Sequence, residues 1–309
     1  MTRLLGLGQL PCVKARLRIK IIAPFRWISV WGPGLLVMLA DTDAGNVVTG
    51  AQAGARWGYR LLPLLLVLMP MLYMVQELTV RLGIYTGRGH GELIRERFGV
   101  GWAWLSTAGL AAATIGSLVT EFTGVAGIGE LYGLSRSLTL PVAAATLLIV
   151  VATGSYRRVE RIAIVIGLFE LAFFAVAWAA HPNLETLAKD AVDLPSITLN
   201  SCIYLVAAVI GAVFNPWMIF YQQAAIADKK LRPDDLKAAR WDTAVGTVLT
   251  QCLTGAVLIA AAATLASSGV SANLAPAYSV VSACRSLTAI YCAGSGPRTN
   301  TWAFAETTG

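Results

Sequence analysis

From about Trp27 to Ser267 the chain alternates long apolar runs with short polar or basic turns, and the runs have the length of bilayer crossings. Seven are predicted: helix 1 over about 27–56, helix 2 over 60–84, helix 3 over 101–132, helix 4 over 138–154, helix 5 over 162–180, helix 6 over 200–227 and helix 7 over 241–267. At about 1.5 Å per residue each can cross a hydrocarbon layer of about 30 Å, some with tilt or overhang. Pro63 and Pro70 fall inside helix 2 as tolerated kinks. Residues 85–99 read as an interfacial loop or short helix, and 183–199 as a polar loop. Two of the runs are themselves interrupted. Helix 1 is broken by Asp41-Thr42-Asp43-Ala44-Gly45-Asn46 and helix 6 by Asn215-Pro216-Trp217-Met218.

Composition agrees with the pattern. The chain is 56% hydrophobic and 13% charged, with a mean hydropathy of +0.65, whereas soluble domains carry about 25% charge. An all-α polytopic membrane protein is expected, and a soluble enzyme or nucleic-acid-binding domain is excluded. The five cysteines, Cys12, Cys202, Cys252, Cys284 and Cys292, form no CxxC pair, so neither a zinc site nor a disulfide framework is predicted. The net charge of +7 matters through its placement. Lys and Arg crowd the N-terminal tail, the 2–3 loop (Arg81, Arg88, Arg95, Arg97), the 4–5 loop (Arg157, Arg158, Arg161) and the 6–7 loop (Lys229, Lys230, Arg232, Lys237, Arg240). The positive-inside rule then puts the N-terminus in the cytoplasm, consistent with a multi-pass protein of a bacterial plasma membrane. Residues 1–27 have no cleavable apolar leader and read as a cytoplasmic tail. Trp27, Trp31, Trp57, Tyr59, Trp102 and Trp241 lie near span ends, where aromatic rings anchor at the interface.

The two breaks carry the candidate chemistry. Carboxylates in hydrocarbon are costly and mark ion or substrate paths. Irregular backbone survives at that depth only when buried in protein or lining a cavity. Asp43 and Asn46 offer a carboxylate and an amide oxygen, and Gly45 permits non-helical backbone that exposes carbonyls. Pro216 removes a ladder donor and frees carbonyls of the preceding turn near Ala212, while Asn215 adds another hard oxygen. The set is all-oxygen and suits Mg²⁺, Ca²⁺ or Mn²⁺. The bland alternatives are an Asp cap and an Asn-Pro helix stop. Two breaks five helices apart favour the inverted-repeat transporter pattern instead, with the site between paired discontinuous helices. Glu170 in helix 5 reads as a structural partner to a helix end or a gating contact, the structural role being favoured, Asp242 as a cap at the start of helix 7, and Gln76 and Glu77 as inner-vestibule residues or interhelical hydrogen-bond partners. No nucleophile–base pair and no HExxH motif is present, so no enzyme activity and no bound cofactor are expected.

The stretches Gly32-Pro-Gly-Leu-Leu-Val, Asp43-Ala-Gly-Asn46, Gln52-Ala-Gly-Ala-Arg-Trp-Gly-Tyr59 and Gln76-Glu-Leu-Thr-Val-Arg-Leu-Gly-Ile-Tyr-Thr-Gly87 resemble the Nramp (natural resistance-associated macrophage protein) family of divalent metal transporters. The resemblance covers roughly 30–265 and implies the LeuT-type inverted-repeat fold. The family's Asp-Pro-Gly-Asn motif falls on Asp43, Ala44, Gly45 and Asn46, so Asp43 and Asn46 inherit the role of metal ligands. Its Ala-x-x-Met-Pro-His motif falls on Ala212, Val213, Phe214, Asn215, Pro216 and Trp217. Asn215 thus stands in place of the family's soft methionine, Trp217 in place of one histidine and Gln222 in place of a second. In helix 3 Glu121 keeps one acidic position of the family, while Thr114 and Gly124 replace two others. Loss of sulfur removes discrimination against hard ions, and loss of histidines removes titratable groups near neutral pH.

This pattern is closest to the Nramp-related magnesium transporters, which carry hydrated Mg²⁺ without proton coupling. The expected ligands are Asp43, Asn46, Asn215 and the Ala212 carbonyl. Asp41, Glu121, Gln222, Trp217 and Gln76 are candidates for an outer shell or pathway. The partners expected are a divalent cation as substrate, Mg²⁺ or also Mn²⁺, and the lipid bilayer, with no nucleic acid. The expected division is a transporter domain over 28–267, with a first repeat at 28–181 and an incomplete second repeat at 200–267. Residues 268–309 have no span-length run and read as an irregular, aberrant tail of a C-terminally incomplete chain. The rival readings are a proton-coupled Mn²⁺/Fe²⁺ importer of the usual Nramp type and a truncated, non-transporting membrane protein.

Overall fold

The computed structural model describes residues 32–152, 156–193 and 200–265. The tail at 1–27, Trp27, Trp31 and the stretch 268–309 lie outside the described residues, as do the side chains of Arg157, Arg158 and Arg161. Every regular element among the described residues is helical: α1 (Pro33–Asp41), α2 (Ala44–Trp57), α3 (Leu62–Thr86), α4 (His90–Phe98), α5 (Val100–Leu131), α6 (Arg136–Ala152), α7 (Tyr156–Gly167), α8 (Ala172–Ala179), α9 (Leu184–Val192), α10 (Asn200–Val213), α11 (Pro216–Lys229) and α12 (Leu236–Thr264). Short 3₁₀ turns stand at Leu168–Leu171 and Pro233–Asp235.

Among the described residues, five stretches are long and apolar enough to cross a membrane: Leu62–Thr86, Val100–Glu130, Ile162–Ala179, Cys202–Lys229 and Pro233–Thr264. The other two expected spans are present in shorter form. Helix 1 is split into α1 and α2, of 9 and 14 residues, and neither half crosses alone. The fourth, Arg136–Ala152, has 17 residues, which reaches about 26 Å as a helix.

Local chemistry explains the boundaries. α1 begins on Pro33, whose fixed φ suits a first turn, after Gly32 at φ 139°, where a side chain would be strained. α3 ends on Gly87 in the left-handed region. The break in helix 6 leaves Asn215 extended and Pro216 opening α11. Two departures from the sequence pattern have physical causes. The expected polar loop at 183–199 contains α9, because Asn183 caps it by accepting from the Glu185 and Thr186 N–H groups at 2.9 and 3.3 Å, and Lys189 bonds Glu185 one turn away. Helix 5 is not uniform; it narrows to a 3₁₀ turn at Leu168–Leu171 between α7 and α8.

α12 is the most buried span and packs against α1, α2, α3 and α8. A Cβ on Gly54 would sit 2.2 Å from the Leu258 carbonyl oxygen, so only glycine lets α2 approach α12 this closely. Val37, Met38, Leu65, Leu72, Val213, Met218 and Leu258 form the main apolar cluster around this contact. The outer faces of α5 and α6 carry exposed Trp104, Leu105, Ile115, Val119, Leu148 and Ile149, a composition suited to lipid. Tyr59, in the turn between α2 and α3, is buried at 5% exposure.

Candidate metal site between the two helix breaks

The first break spans only Thr42 and Asp43, and every residue around it is held. Asp43 is extended and caps α2, its carboxylate accepting from the Asn46 N–H at 2.8 Å. Ser117 of α5 donates to the other Asp43 oxygen at 3.3 Å. The Ala44 N–H donates to Glu121 Oε1 at 2.9 Å. These bonds satisfy two of the free N–H groups that any helix start presents, and the positive end of α2 favours both carboxylates. Thr42 links two further helices. Its hydroxyl lies 2.8 Å from that of Thr250 in α12, where either can donate, and Glu170 of helix 5 stands close by.

The two breaks meet at Asn46. Its amide nitrogen donates to the Asp41 carbonyl and, at 3.3 Å, to the Ala212 carbonyl in the last turn of α10. The C-terminal ends of α1 and α10, where carbonyls lack helical partners, thus converge on one side chain that is 2% exposed. Asn215 lies three residues beyond Ala212 at the start of α11. It makes no capping bond, and its Oδ1 is buried without a partner. Asp41 is also 2% exposed, and its Oδ2 is likewise unpartnered. Asp43, Glu121 and Glu170 lie within electrostatic reach of one another, and Asp41 within reach of Asp43 and Glu170. Among the described residues no three His, Cys, Asp or Glu side chains close on a single point. An ion here would be met by one carboxylate with amide and carbonyl oxygens, the other charges standing further out.

Asp41, Asp43, Asn46, Ala212 and Glu121 are thus brought together, with Asn215 adjoining. The other three candidates turn elsewhere. Gln222 is fully buried and donates to Thr243 of α12 at 3.0 Å. Trp217 packs edge-on to Tyr221, ring centroids 6.2 Å apart. Gln76 is buried at 1% exposure with its Oε1 unpartnered. Its neighbour Glu77 joins Arg81 at 2.8 Å and also Arg240 of α12, which makes it an interhelical ion pair. One expectation needs correction. Asp242 does cap a helix, but not its own: α12 begins at Leu236, and the Asp242 carboxylate accepts from the Gly32, Gly34 and Leu35 N–H groups at 3.3, 2.7 and 3.2 Å. It caps α1 from across the fold. Glu170 borders the first break, within electrostatic reach of Asp43 and Glu121. Ser117 and Thr250 carry no motif in the sequence that would have marked them.

Residues 34–292 match the family described as Natural resistance-associated macrophage protein-like. The chain belongs to the Nramp family. The match runs past residue 265, where the motif resemblance ends. Solved structures agree in fold. A glutamate-to-glutamine mutant of the Eremococcus coleocola manganese transporter superimposes with a TM-score of 0.66 at 18% identity, covering 85% of this chain and 63% of its own. The same transporter in complex with an aromatic bis-isothiourea substituted compound gives 0.64 at 18%, covering 86% and 64%. These are Nramp transporters of the LeuT-type fold, and this chain shares that fold while spanning 63% of the length of the first of them. With the apolar helices, the family makes this chain an integral membrane protein.

Proposed function

We propose that this chain carries a divalent cation across the membrane, Mg²⁺ ahead of Mn²⁺, in the space between the two breaks. One observation carries the reading: the Asn46 amide joins the Asp41 and Ala212 carbonyls, one from each break. An amide N–H₂ bound between two carbonyl oxygens marks a position that favours positive charge. A cation taking that position would meet the Asp43 carboxylate, the Asn46 oxygen after its amide turns, the Ala212 carbonyl and Asn215 Oδ1. All are hard donors. The sulfur nearest in sequence, Met218, is fully buried in the apolar cluster. Mg²⁺ binds through few protein oxygens and keeps several waters, and the outlying charges of Asp41 and Glu121 suit a hydrated ion. Residues 28–267 serve as the transporter unit, with 28–181 as first repeat and 200–267 as part of the second. Helices 1 and 6 would shift against helices 3–5 to alternate access. The basic turns put the N-terminus in the cytoplasm.

A second reading, a proton-coupled Mn²⁺/Fe²⁺ importer, is favoured by Glu121 and Glu170 beside Asp43 and by the names of the solved neighbours, manganese transporters. Uptake into proteoliposomes separates the two. Mg²⁺ uptake independent of a pH gradient supports the first reading. Mn²⁺ uptake that requires an inward proton gradient, with Mg²⁺ excluded, selects the second. Asn215→Met should move preference toward Mn²⁺ and Cd²⁺ under the first reading, and an unchanged preference removes Asn215 from the ligand set.

A further inference from the structure

A groove of about 530 Å³ opens between the end of α3 and the short helix α4, within the roughly 300–1,000 Å³ range of ligand pockets. Its lining is apolar at Leu82, Leu93, Ile94 and Phe98 and polar at His90, Glu96 and Arg97. Phe98 is 66% exposed and Leu82 39%. α4 has nine residues and lies between two membrane-crossing helices. It is too short to cross, so it rests at the membrane boundary. The local charges are unequally used. Arg88 is taken up by Glu92 at 3.8 Å and by Glu96, which also neutralises the Glu96 that borders the groove. Arg95 and Arg97 are exposed and have no acidic partner among the described residues.

We propose that this groove binds an anionic phospholipid, an acyl chain on the apolar wall and the headgroup phosphate on Arg97, with Arg95 adding charge two residues away. An exposed apolar lining bordered by the unpaired guanidinium of Arg97 matches the two parts of such a lipid. A free phosphate would leave Phe98 and Leu82 uncovered. The occupant also touches a junction of the transport core. His90 bonds Gln223 of α11 at 2.8 Å and packs edge-on to Phe220, centroids 5.0 Å apart, and Gln223 in turn donates to the Arg88 carbonyl at 2.9 Å. Lipid in the groove therefore rests against the contact that ties α4 to the second half of broken helix 6.

The test is native mass spectrometry of the full chain in detergent, with added phosphatidylglycerol or phosphatidylcholine. Wild type should retain phosphatidylglycerol in preference to phosphatidylcholine. Each of Arg95→Gln and Arg97→Gln should weaken that preference about fivefold, and the double variant about 25-fold. Arg136→Gln, which disturbs only an exposed pair with Glu130, should leave it unchanged. Thermal melts of the variants verify folding. Equal retention of the two lipids by wild type overturns the proposal. So does a double variant that is folded and still prefers phosphatidylglycerol. Displacement of the lipid by millimolar inorganic phosphate also overturns it, since the site would then be one for the bare anion.

Discussion

The two breaks look alike in the chain, each an Asp or Asn ahead of a small or cyclic residue, yet they are built differently. Around the first, Thr42, Asp43, Ala44 and Asn46 are each bonded to a neighbouring element. At the second, Asn215 has no capping bond and an unpartnered Oδ1, and Pro216 has no N–H to give. One half is fixed in advance and the other keeps free capacity. Preorganised donors lower the ordering that binding must impose. A buried amide oxygen left without a partner is costly, and a cation would relieve that cost. On the proposed reading, the first break would set the geometry and the second would respond to the ion.

The largest effect should come from the fixed half. Asp43→Ala removes the charged donor and the α2 cap together, so divalent uptake should fall by on the order of 100-fold or more, with a stability loss of about 1 kcal/mol from the cap. Asp43→Asn separates the two roles, because an amide oxygen still caps. Uptake lost and melting temperature kept is the expected pair. Uptake retained in both variants would remove the first break from the site. Next in size, Asp242→Ala should destabilise the chain by roughly 2–3 kcal/mol, since three N–H groups at the start of α1 lose one charged acceptor. Thermal unfolding measures it. A loss under about 0.5 kcal/mol would mean that α1 does not depend on α12 for its position.

Much of this was legible in the chain because the bilayer dictates it. Apolar runs of crossing length located the spans, and Asp43 followed by Asn46 announced both a cap and a pair of oxygen donors. Position along the chain could not show partners brought in from afar. Asn46 meets Ala212 across 166 residues. Asp242 looked like the cap of the helix it begins because the apolar run starts at Trp241, whereas the helix starts at Leu236 and turns Asp242 inward to α1. Glu170 stood out as a carboxylate in an apolar run, but such a residue has the same appearance whether it pairs, caps or faces a site. Its 3₁₀ turn has no proline to announce it. α9 was hidden by polarity, although Asn183 and the Glu185–Lys189 spacing are ordinary helix signals.

The smallest effect is the sharpest probe of the contrast. Asn46→Ala deletes a buried donor shared by two carbonyls, and should cost about 1–2 kcal/mol in thermal unfolding without metal. Asn215→Ala occupies a helix N-cap, where the usual loss is about 1 kcal/mol. That loss comes from the capping bond, and Asn215 makes none. Its substitution should therefore change unfolding by less than about 0.5 kcal/mol and can even stabilise, because it removes an unsatisfied buried oxygen. If Asn215 is kept for the ion, the same variant should lose part of the protection against unfolding that saturating Mg²⁺ gives the wild type, since only a ligand of the folded state confers it. Neutral without metal and weakened with it is the result that the unequal breaks require. A loss of 1 kcal/mol or more in the absence of metal would show that Asn215 is a structural cap after all, and the two halves would be alike.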